Sequence, residues 1–313
     1  MSLTPRVALL LTIPPLMWAG NAVVGELMVG QVPPLTLNFL RWVLAALFLL
    51  ALAWHSLRPW PQTLRQMRDR WPYLLAVGLL GIGLFNALQY AALVTSTPIN
   101  LTLVGASMPV WMLAVGALFY GESPKPRQLF GAALGLVGVL LVIGRGNFNA
   151  LLEVRFVVGD MMMLLAVIGW AFYSWLLARP PASMRGEQRP KWDWAAFLLV
   201  QTLFGLLAAG LLSAGEQIVG VSPIQWSPGV AAALVYVSVG ASIIAYRCWG
   251  LGVASGGPAL AAFFNNLTPL FAAVLSAVVL GDVPQPFHAL AFVLIVGGIV
   301  VSTPRSRAQK VPG

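Results

Sequence analysis

The chain has 313 residues, of which 59% are hydrophobic and only 9% are charged. A soluble globular domain carries about 25% charged residues. The composition of this chain therefore excludes a soluble globular domain and predicts a membrane protein. The net charge of +9 does not predict nucleic-acid binding, since apolar runs separate the basic residues. One cysteine, Cys248, and two histidines, His55 and His288, exclude an intramolecular disulfide and are too few for a metal centre, so we expect no cofactor.

A bilayer core about 30 Å thick is crossed by roughly 20 apolar residues in a helix. Charged and Pro/Gly-rich breaks divide the chain into ten stretches of this kind, which predicts an all-α polytopic membrane protein. The first stretch contains Pro14 and Pro15 and no small-residue cleavage site follows it, so we interpret it as a membrane span. The predicted spans are Val7–Met28, Pro34–Trp54, Pro72–Val94, Thr97–Tyr120, Pro126–Ile143, Gly159–Leu177, Asp193–Ser213, Pro228–Gly250, Pro258–Leu280 and Pro286–Thr303.

The basic residues fall mainly into alternate loops. Of the 18 lysines and arginines, 14 lie on the side that holds the N-terminus, whereas Arg145 and Arg155 lie on the opposite side and Arg41 and Arg247 fall inside spans. Because cytoplasmic loops carry an excess of lysine and arginine, both termini are predicted to be cytoplasmic.

An internal repeat relates the two halves of the chain. Comparison of the sequence with itself at an offset of 160 residues pairs prolines, glycines and one acidic position. Prolines mark helix ends in any polytopic protein, but Pro109 and Pro269 lie well inside their spans, which favours a true repeat over residues 5–145 and 158–305. Trp18-Ala19 and Trp170-Ala171 add a second correspondence. The paired residues are Pro98/Pro258, Pro109/Pro269, Gly121/Gly281, Glu122/Asp282, Pro124/Pro284, Pro126/Pro286, Gly138/Gly298 and Arg145/Arg305.

Each repeat contains five spans, an odd number, so the second repeat enters the membrane in the opposite orientation. The loops agree, because Lys125 and Arg127 correspond to Gln285 and Phe287. Two inverted repeats can exchange conformations and open one central cavity alternately to each side, which makes a transporter the leading hypothesis.

Short motifs occur in both halves of the chain. They are Met-Trp-Ala-Gly-Asn at 17–21, Phe-Leu-Arg-Trp at 39–42, Ser-Met-Pro-Val at 107–110, Gly121-Glu122, Gly159-Asp160, Leu-Thr-Pro-Leu at 267–270 and Gly281-Asp282. These motifs resemble the EamA family of the drug/metabolite transporter superfamily over about residues 5–303. This resemblance implies two five-helix units around a central cavity, in a bacterial inner membrane, that export or exchange small metabolites. The abundance of aromatic residues is most similar to aromatic amino acid exporters of the YddG type.

Four of the 12 tryptophans, Trp18, Trp42, Trp111 and Trp170, lie deep in their spans. Their rings could line the cavity, face lipid or pack in the core. The other eight lie near span ends, where indole rings favour the headgroup zone, and are interpreted as anchors. These eight are Trp54, Trp60, Trp71, Trp175, Trp192, Trp194, Trp226 and Trp249.

Polar side chains within the spans indicate the faces that look inward. Asn86, Gln89 and Tyr90 share one helix face, and the offset of 160 pairs Asn86 with Tyr246. Such amides either hold helices together or line a site. Aromatic faces beside neutral amides favour an amphipathic solute such as an aromatic amino acid. The predicted lining is Trp18, Asn86, Gln89, Tyr90, Trp111, Trp170, Tyr173, Tyr246, Asn265 and Asn266.

Charges inside the spans are few. Glu26 and Arg41 could form an outer gate, or Glu26 could be solvated while Arg41 extends to the interface. Arg247 is interpreted as extending to the interface. No acidic residue lies near the middle of a span, which favours facilitated efflux over proton antiport.

Glycines at 131, 135, 138, 297 and 298 allow either close helix packing within the chain or a dimer contact. We expect a monomer or a weak homodimer whose partners are lipid and a small-molecule substrate. A multidrug exporter is the main alternative to an amino acid exporter. A channel and a membrane-embedded enzyme are less favoured, and a nucleotide-sugar carrier is disfavoured by the scarcity of cations in the spans.

Overall fold

The structure, a computed structural model, describes residues 3–92, 94–147, 149, 155–280 and 285–303. These residues form helices and loops, and no strand occurs among them. Eight helical segments are long and apolar enough to cross a membrane, and a bent helix pair makes a further crossing. A shorter apolar helix covers Pro286–Ser302. The protein is therefore an all-helical, multi-pass membrane protein.

Fifteen α-helices and two π-helical turns make up the described part of the bundle. The π-helical turns cover Leu79–Gly83 and Val239–Ile244 and each joins two α-helices. The helices are α1 Pro5–Leu27, α2 Pro34–Ala53, α3 Trp60–Asp69, α4 Trp71–Gly78, α5 Leu84–Ala92, α6 Pro98–Ala106, α7 Met108–Tyr120, α8 Pro126–Ile143, α9 Val158–Ala178, α10 Trp194–Val219, α11 Pro228–Ser238, α12 Ala245–Gly256, α13 Pro258–Asn265, α14 Thr268–Leu280 and α15 Pro286–Ser302.

Helix ends follow local chemistry. Proline occupies the first turn of α1, where the missing N–H costs nothing, and the Thr4 hydroxyl accepts a hydrogen bond from Val7 N. The predicted seventh span ends at Ser213, but α10 continues to Val219 and ends at Gly220, which adopts a left-handed φ of +87°. The eighth span likewise continues beyond its predicted end, because α12 reaches Gly256.

Two spans are broken near their inner prolines. Helices α6 and α7, predicted as one span, bend by 41° at the residue before Met108. Pro109 lacks an N–H, and its ring clashes with the preceding turn, so the helix cannot continue straight. The repeat-related break lies at Asn266 and Leu267, just before Pro269. The repeat partners Gly281, Asp282, Pro284 and Arg305 lie outside the described residues.

Helices α8 and α15 cross in backbone contact. A Cβ atom built on Gly131 would lie 2.6 Å from Gly298 O, and one on Gly138 would lie 3.0 Å from Ala291 O. Four of the five predicted small-residue positions therefore pack within the chain, and a dimer contact at those four glycines is excluded in this conformation. A Cβ atom built on Gly297 would have no neighbour within 4 Å.

Loops meet at two ends of the bundle. At the α1–α2 end, which holds residues 28–36 and 213–227, Gln225 N donates to Gln31 O at 2.9 Å. At the α2–α3 end, which holds residues 54–71 and 179–193, Arg70 donates to the carbonyl oxygens of Ser183 and Gln188 at 2.9 and 2.8 Å. Helix α3, at this end, falls in a stretch predicted as a loop.

Candidate functional site

Seven aromatic rings meet at the centre of the bundle, and we call them the ring cluster. Trp170 of α9 lies in the middle, with its ring centroid 5.3 Å from Trp18, 5.5 Å from Tyr246 and 5.1 Å from Phe85. The members of the ring cluster are Trp18, Trp42, Phe85, Trp170, Tyr173, Tyr246 and Trp249.

The ring cluster is packed rather than open. Trp170 is 2% exposed, Tyr173 1% and Trp42 0%. In this conformation, the rings of Trp170, Tyr173 and Tyr246 therefore fill the space that they were expected to line. Edge-to-face contacts, such as the 86° interplanar angle between Trp18 and Trp170, hold the rings together.

Trp249 belongs to this cluster and is not an anchor at the membrane surface. Its ring centroid lies 5.5 Å from Trp18, and its indole N–H donates to Ser174 Oγ at 3.1 Å. The prediction was wrong because the helical segment extends to Gly256, which places Trp249 two turns inside its end.

The π-helical turns supply hydrogen-bond acceptors to the ring cluster. Trp18 Nε1 donates to Ala241 O at 3.1 Å. The repeat-related carbonyl, Gly81 O, accepts from the Tyr246 hydroxyl instead. The indole N–H of Trp170, which the repeat pairs with Trp18, has no partner among the described residues.

The predicted amides fall into two places. Asn86 is buried and follows Phe85 on α5, whereas Gln89 is half-buried one turn later. Asn265 and Asn266 lie at the break between α13 and α14, and Asn266 is 2% exposed with no hydrogen-bond partner for its amide in the described part of the chain.

Two further residues that were predicted to line the cavity, Trp111 and Tyr90, are not seen in the ring cluster. Trp111 packs against the hydrophobic core, but no ring contact joins it to the ring cluster in the described structure. The side chain of Tyr90 is outside the described residues.

The ion pair between Glu26 and Arg41, one of the two arrangements that the sequence left open, is not formed among the described residues. Glu26 is exposed, whereas Arg41 is 2% exposed. Arg41 Nε donates to Ser242 Oγ at 3.1 Å, and its Nη1 donates to Asn21 Oδ1 at 3.4 Å. Arg41 therefore points into the bundle rather than towards the interface.

Glu216, which sequence reasoning missed, joins α2 and α10 at the α1–α2 end. Its carboxylate accepts from Leu35 N at 3.0 Å, and from Thr36 N and Thr36 Oγ1 at 2.7 and 2.8 Å. Glu216 therefore caps the positive N-terminal end of α2. The sequence feature that could have identified Glu216 is the position of an acidic residue just beyond the predicted end of an apolar span.

Asp160 is the most buried acidic residue among the described residues, at 2% exposed. Its carboxylate accepts from Ser96 Oγ, from Asn100 Nδ2 at 2.9 Å and from Val157 N at 2.7 Å. These contacts tie α9 to α6 and leave the carboxylate well satisfied. No group of three metal-binding side chains occurs in the ranges that the structure describes.

Comparisons with known proteins agree with this architecture. A solved crystal structure superposes with a TM-score of 0.71 at 23% identity and covers 95% of this chain and 96% of its own, which shows a shared fold. An uncharacterized transporter of Archaeoglobus fulgidus is 26% identical over 94% of this chain and 96% of its own length.

Two relatives carry names that include a substrate class. The aromatic amino acid exporter YddG of Ancylobacter novellus is 26% identical over 76% of this chain and 77% of its own length. A probable amino-acid metabolite efflux pump of Salmonella typhimurium is 26% identical over 91% of this chain and 90% of its own length.

The EamA-like transporter family matches the sequence twice, over residues 5–144 and 157–303. Together the two matches cover most of the chain. The family resemblance inferred from the motifs is confirmed, and the chain belongs to the EamA-like transporter family.

Proposed function

We propose that the protein exports small amphipathic metabolites, with aromatic and other apolar amino acids as its main substrates, by alternating access. The observation that carries this proposal is the ring cluster at the junction of the two halves. Trp18 and Trp42 come from the first half, whereas Trp170, Tyr246 and Trp249 come from the second. Movement of one half against the other would separate these rings and admit a solute between them.

The ring cluster suits an amphipathic solute with a flat apolar part. An aromatic or branched side chain can replace one ring contact with another at little cost, because ring faces and edges interact favourably in many geometries. The buried amide of Asn86, beside Phe85 of the cluster, offers hydrogen bonds to the polar part of the solute. The printed names of the two amino acid transporters among the relatives favour the same substrate class.

Ten membrane spans in two inverted repeats are part of this proposal. The offset of 160 residues that pairs the prolines also carries Leu79, where the first π-helical turn begins, onto Val239, where the second begins. The count of ten requires that the bent pair α6–α7 and the 17-residue helix α15 each form a span.

The contact between α8 and α15 supports a two-fold relation between the repeats. The same offset carries Gly131 onto Ala291 and carries Gly138 onto Gly298. When each residue is replaced by its repeat partner, the contact of Gly131 with Gly298 becomes the contact of Ala291 with Gly138. A two-fold axis between the repeats requires this equivalence. An axis of this kind lying in the membrane plane is the symmetry of inverted-repeat transporters.

The orientation follows from the basic loops. Hydrogen bonds of Arg70 with the 182–188 segment, and of Arg179 with Tyr120 O, bring three of the basic loops to the α2–α3 end. We assign this end and both termini to the cytoplasm of a bacterial cell, with the protein in the inner membrane. The ring cluster lies within one chain, so a monomer suffices for transport.

Flux into proteoliposomes tests the proposal. We expect saturable uptake of labelled phenylalanine that excess unlabelled tryptophan, tyrosine or leucine inhibits and a lipophilic cationic drug does not. An Asn86→Ala variant should transport several-fold more slowly at equal expression. Uptake no faster than in empty liposomes, in a preparation shown to be folded, would reject amino acids; saturable drug uptake instead would identify a multidrug exporter.

A further inference from the structure

Arg41 is a buried cation without an anionic partner among the described residues. It lies seven residues inside α2, about 10 Å from the start of that helix, and is 2% exposed. The one ion pair found in the described ranges joins Arg179 and Glu122, at the α2–α3 end. Neither Glu26 nor Glu216 pairs with Arg41, because Glu26 is exposed and the carboxylate of Glu216 caps α2.

The hydrogen bonds of Arg41 leave part of its guanidinium unused. A guanidinium has five N–H donors, and Ser242 Oγ and Asn21 Oδ1 accept two of them. Both acceptors are neutral, and Ser242 already donates its own hydroxyl proton to Val237 O at 2.8 Å. Nη2 makes no hydrogen bond in the described structure. A guanidinium removed from water in this way favours a carboxylate that can accept two parallel hydrogen bonds.

Two indole N–H groups of the ring cluster also lack acceptors. Trp42 Nε1 and Trp170 Nε1 are buried without a hydrogen-bond partner in the parts of the chain that the structure covers. Their rings each make an edge-to-face contact with the ring of Tyr246, with centroid distances of 5.0 and 5.5 Å. The guanidinium carbon of Arg41 lies 5.1 Å from the centre of the Trp42 ring. The ring cluster, together with Arg41 on the Trp42 ring, therefore has an excess of donors and of positive charge.

The shortage of acceptors has a structural cause. Trp18 and Trp170 occupy related positions, but only Trp18 reaches its π-turn carbonyl, Ala241 O. The Tyr246 hydroxyl has taken the equivalent carbonyl, Gly81 O. A buried donor that lacks an acceptor is costly, so this arrangement favours a ligand that brings acceptors.

We infer that Arg41, with the indole N–H groups of Trp42 and Trp170, binds the carboxylate of the transported solute. This inference rests on the proposed function and deepens it, since it selects carboxylate-bearing substrates over cationic ones. On α2, Asn38 Oδ1 is also buried without a donor, one turn before Trp42. An ammonium group would satisfy Asn38, so an α-amino acid matches both polar ends of the site while its side chain meets the rings.

Three ligands that share one ring separate these contributions. Phenylalanine carries both charges, phenylalaninamide lacks the carboxylate, and 3-phenylpropionate lacks the ammonium group. Binding is measured on the purified full-length protein in detergent by titration calorimetry. We expect the wild type to bind phenylalanine about tenfold or more tightly than phenylalaninamide, as loss of a charge-assisted bond requires.

The Arg41→Gln variant should lose this preference. Its affinities for phenylalanine and for 3-phenylpropionate should fall about tenfold, whereas its affinity for phenylalaninamide should not change. The matched control is Arg247→Gln, because Arg247 is also an arginine within a span but lies 4.8 Å from the ring of Trp194, away from the ring cluster. It should bind all three ligands as the wild type does.

The melting temperature without ligand separates a binding role from a folding role. Because Arg41 has no buried counter-ion among the described residues, Arg41→Gln should melt no lower than the wild type. If that variant does not fold, Trp42→Phe removes the indole N–H together with part of the ring, keeps an aromatic side chain, and should reduce the preference for phenylalanine over its amide about threefold. A preference that is absent from the wild type, or unchanged in these variants, would overturn the inference. Failure of the wild type to bind any of the three ligands would instead count against the proposed function.

Discussion

The crossing of α8 and α15 makes a sharp prediction about two adjacent glycines. In a Gly298→Ala variant, the new Cβ would lie 2.6 Å from Gly131 O and 3.1 Å from Gly135 N. Ordinary contact begins at 3.4 Å, so the two helices must separate by about 0.8 Å, the difference between 3.4 and 2.6 Å. Both contacting atoms belong to the backbone of α8, which cannot move aside as a flexible side chain can.

The magnitude follows from two opposing contributions. Overpacking of this kind costs about 1–3 kcal/mol, whereas replacing glycine by alanine inside a helix contributes about 1 kcal/mol of stability. Gly298→Ala should therefore lower the free energy of unfolding by up to about 2 kcal/mol. Gly297→Ala is the matched control, because its Cβ has no neighbour within 4 Å and only the helix-forming gain remains.

Unfolding of the purified variants in mixed micelles with increasing SDS, followed by tryptophan fluorescence, measures this difference. We expect Gly297→Ala to be as stable as the wild type or slightly more stable, and Gly298→Ala to unfold at a lower SDS fraction. Equal stability of the two variants would refute the backbone contact between α8 and α15, and with it the support that this contact gives to a two-fold relation.

Two further predictions concern the ends of the bundle. Glu216→Gln should destabilise the protein by about 1 kcal/mol, because it removes the negative charge that caps α2, whereas the exposed Glu26→Gln should have no effect; thermal unfolding in detergent measures both. Cysteines that replace the exposed residues Arg65 and Arg185 should resist an impermeant thiol reagent in whole cells and react after permeabilisation, and labelling of both in intact cells would contradict the assigned orientation.

Much of the architecture could be predicted from the sequence because a bilayer imposes strong constraints. Apolar length defines the spans, and the paired prolines defined the two halves that the family matches also cover. The predicted span boundaries differ mainly at the C-terminal ends of two helices, where neither the glycines nor, at Glu216, a charge ends the helix. Residues 214–219 and 251–256 continue helices beyond their predicted ends.

The packing of the predicted site residues could be predicted less well than their proximity. Trp18, Trp170, Tyr173 and Tyr246 were predicted to lie together, and the structure brings their rings into contact. Whether they line a cavity or pack on each other depends on conformation, which composition does not encode.

The partners of Arg41 and Trp170 depend on the π-helical turns. A π-helical turn contains one extra residue, which redirects the carbonyl groups of that turn. No local sequence pattern predicted the turns at 79–83 and 239–244. The sequence placed Arg41 near Glu26 by helix position alone. The structure instead turns Arg41 towards Ser242, at the second π-helical turn.

The central claim is that the ring cluster is the transport site, and the initial rate of phenylalanine uptake by proteoliposomes tests it most directly. Trp170→Ala should reduce this rate about threefold to tenfold, which corresponds to about 1 kcal/mol of ring contact. Trp226→Ala, which removes a tryptophan that is 64% exposed in the loop before α11, should transport as the wild type does. A folded Trp170→Ala variant that transports at the wild-type rate, or an equal loss in both variants, would contradict the claim.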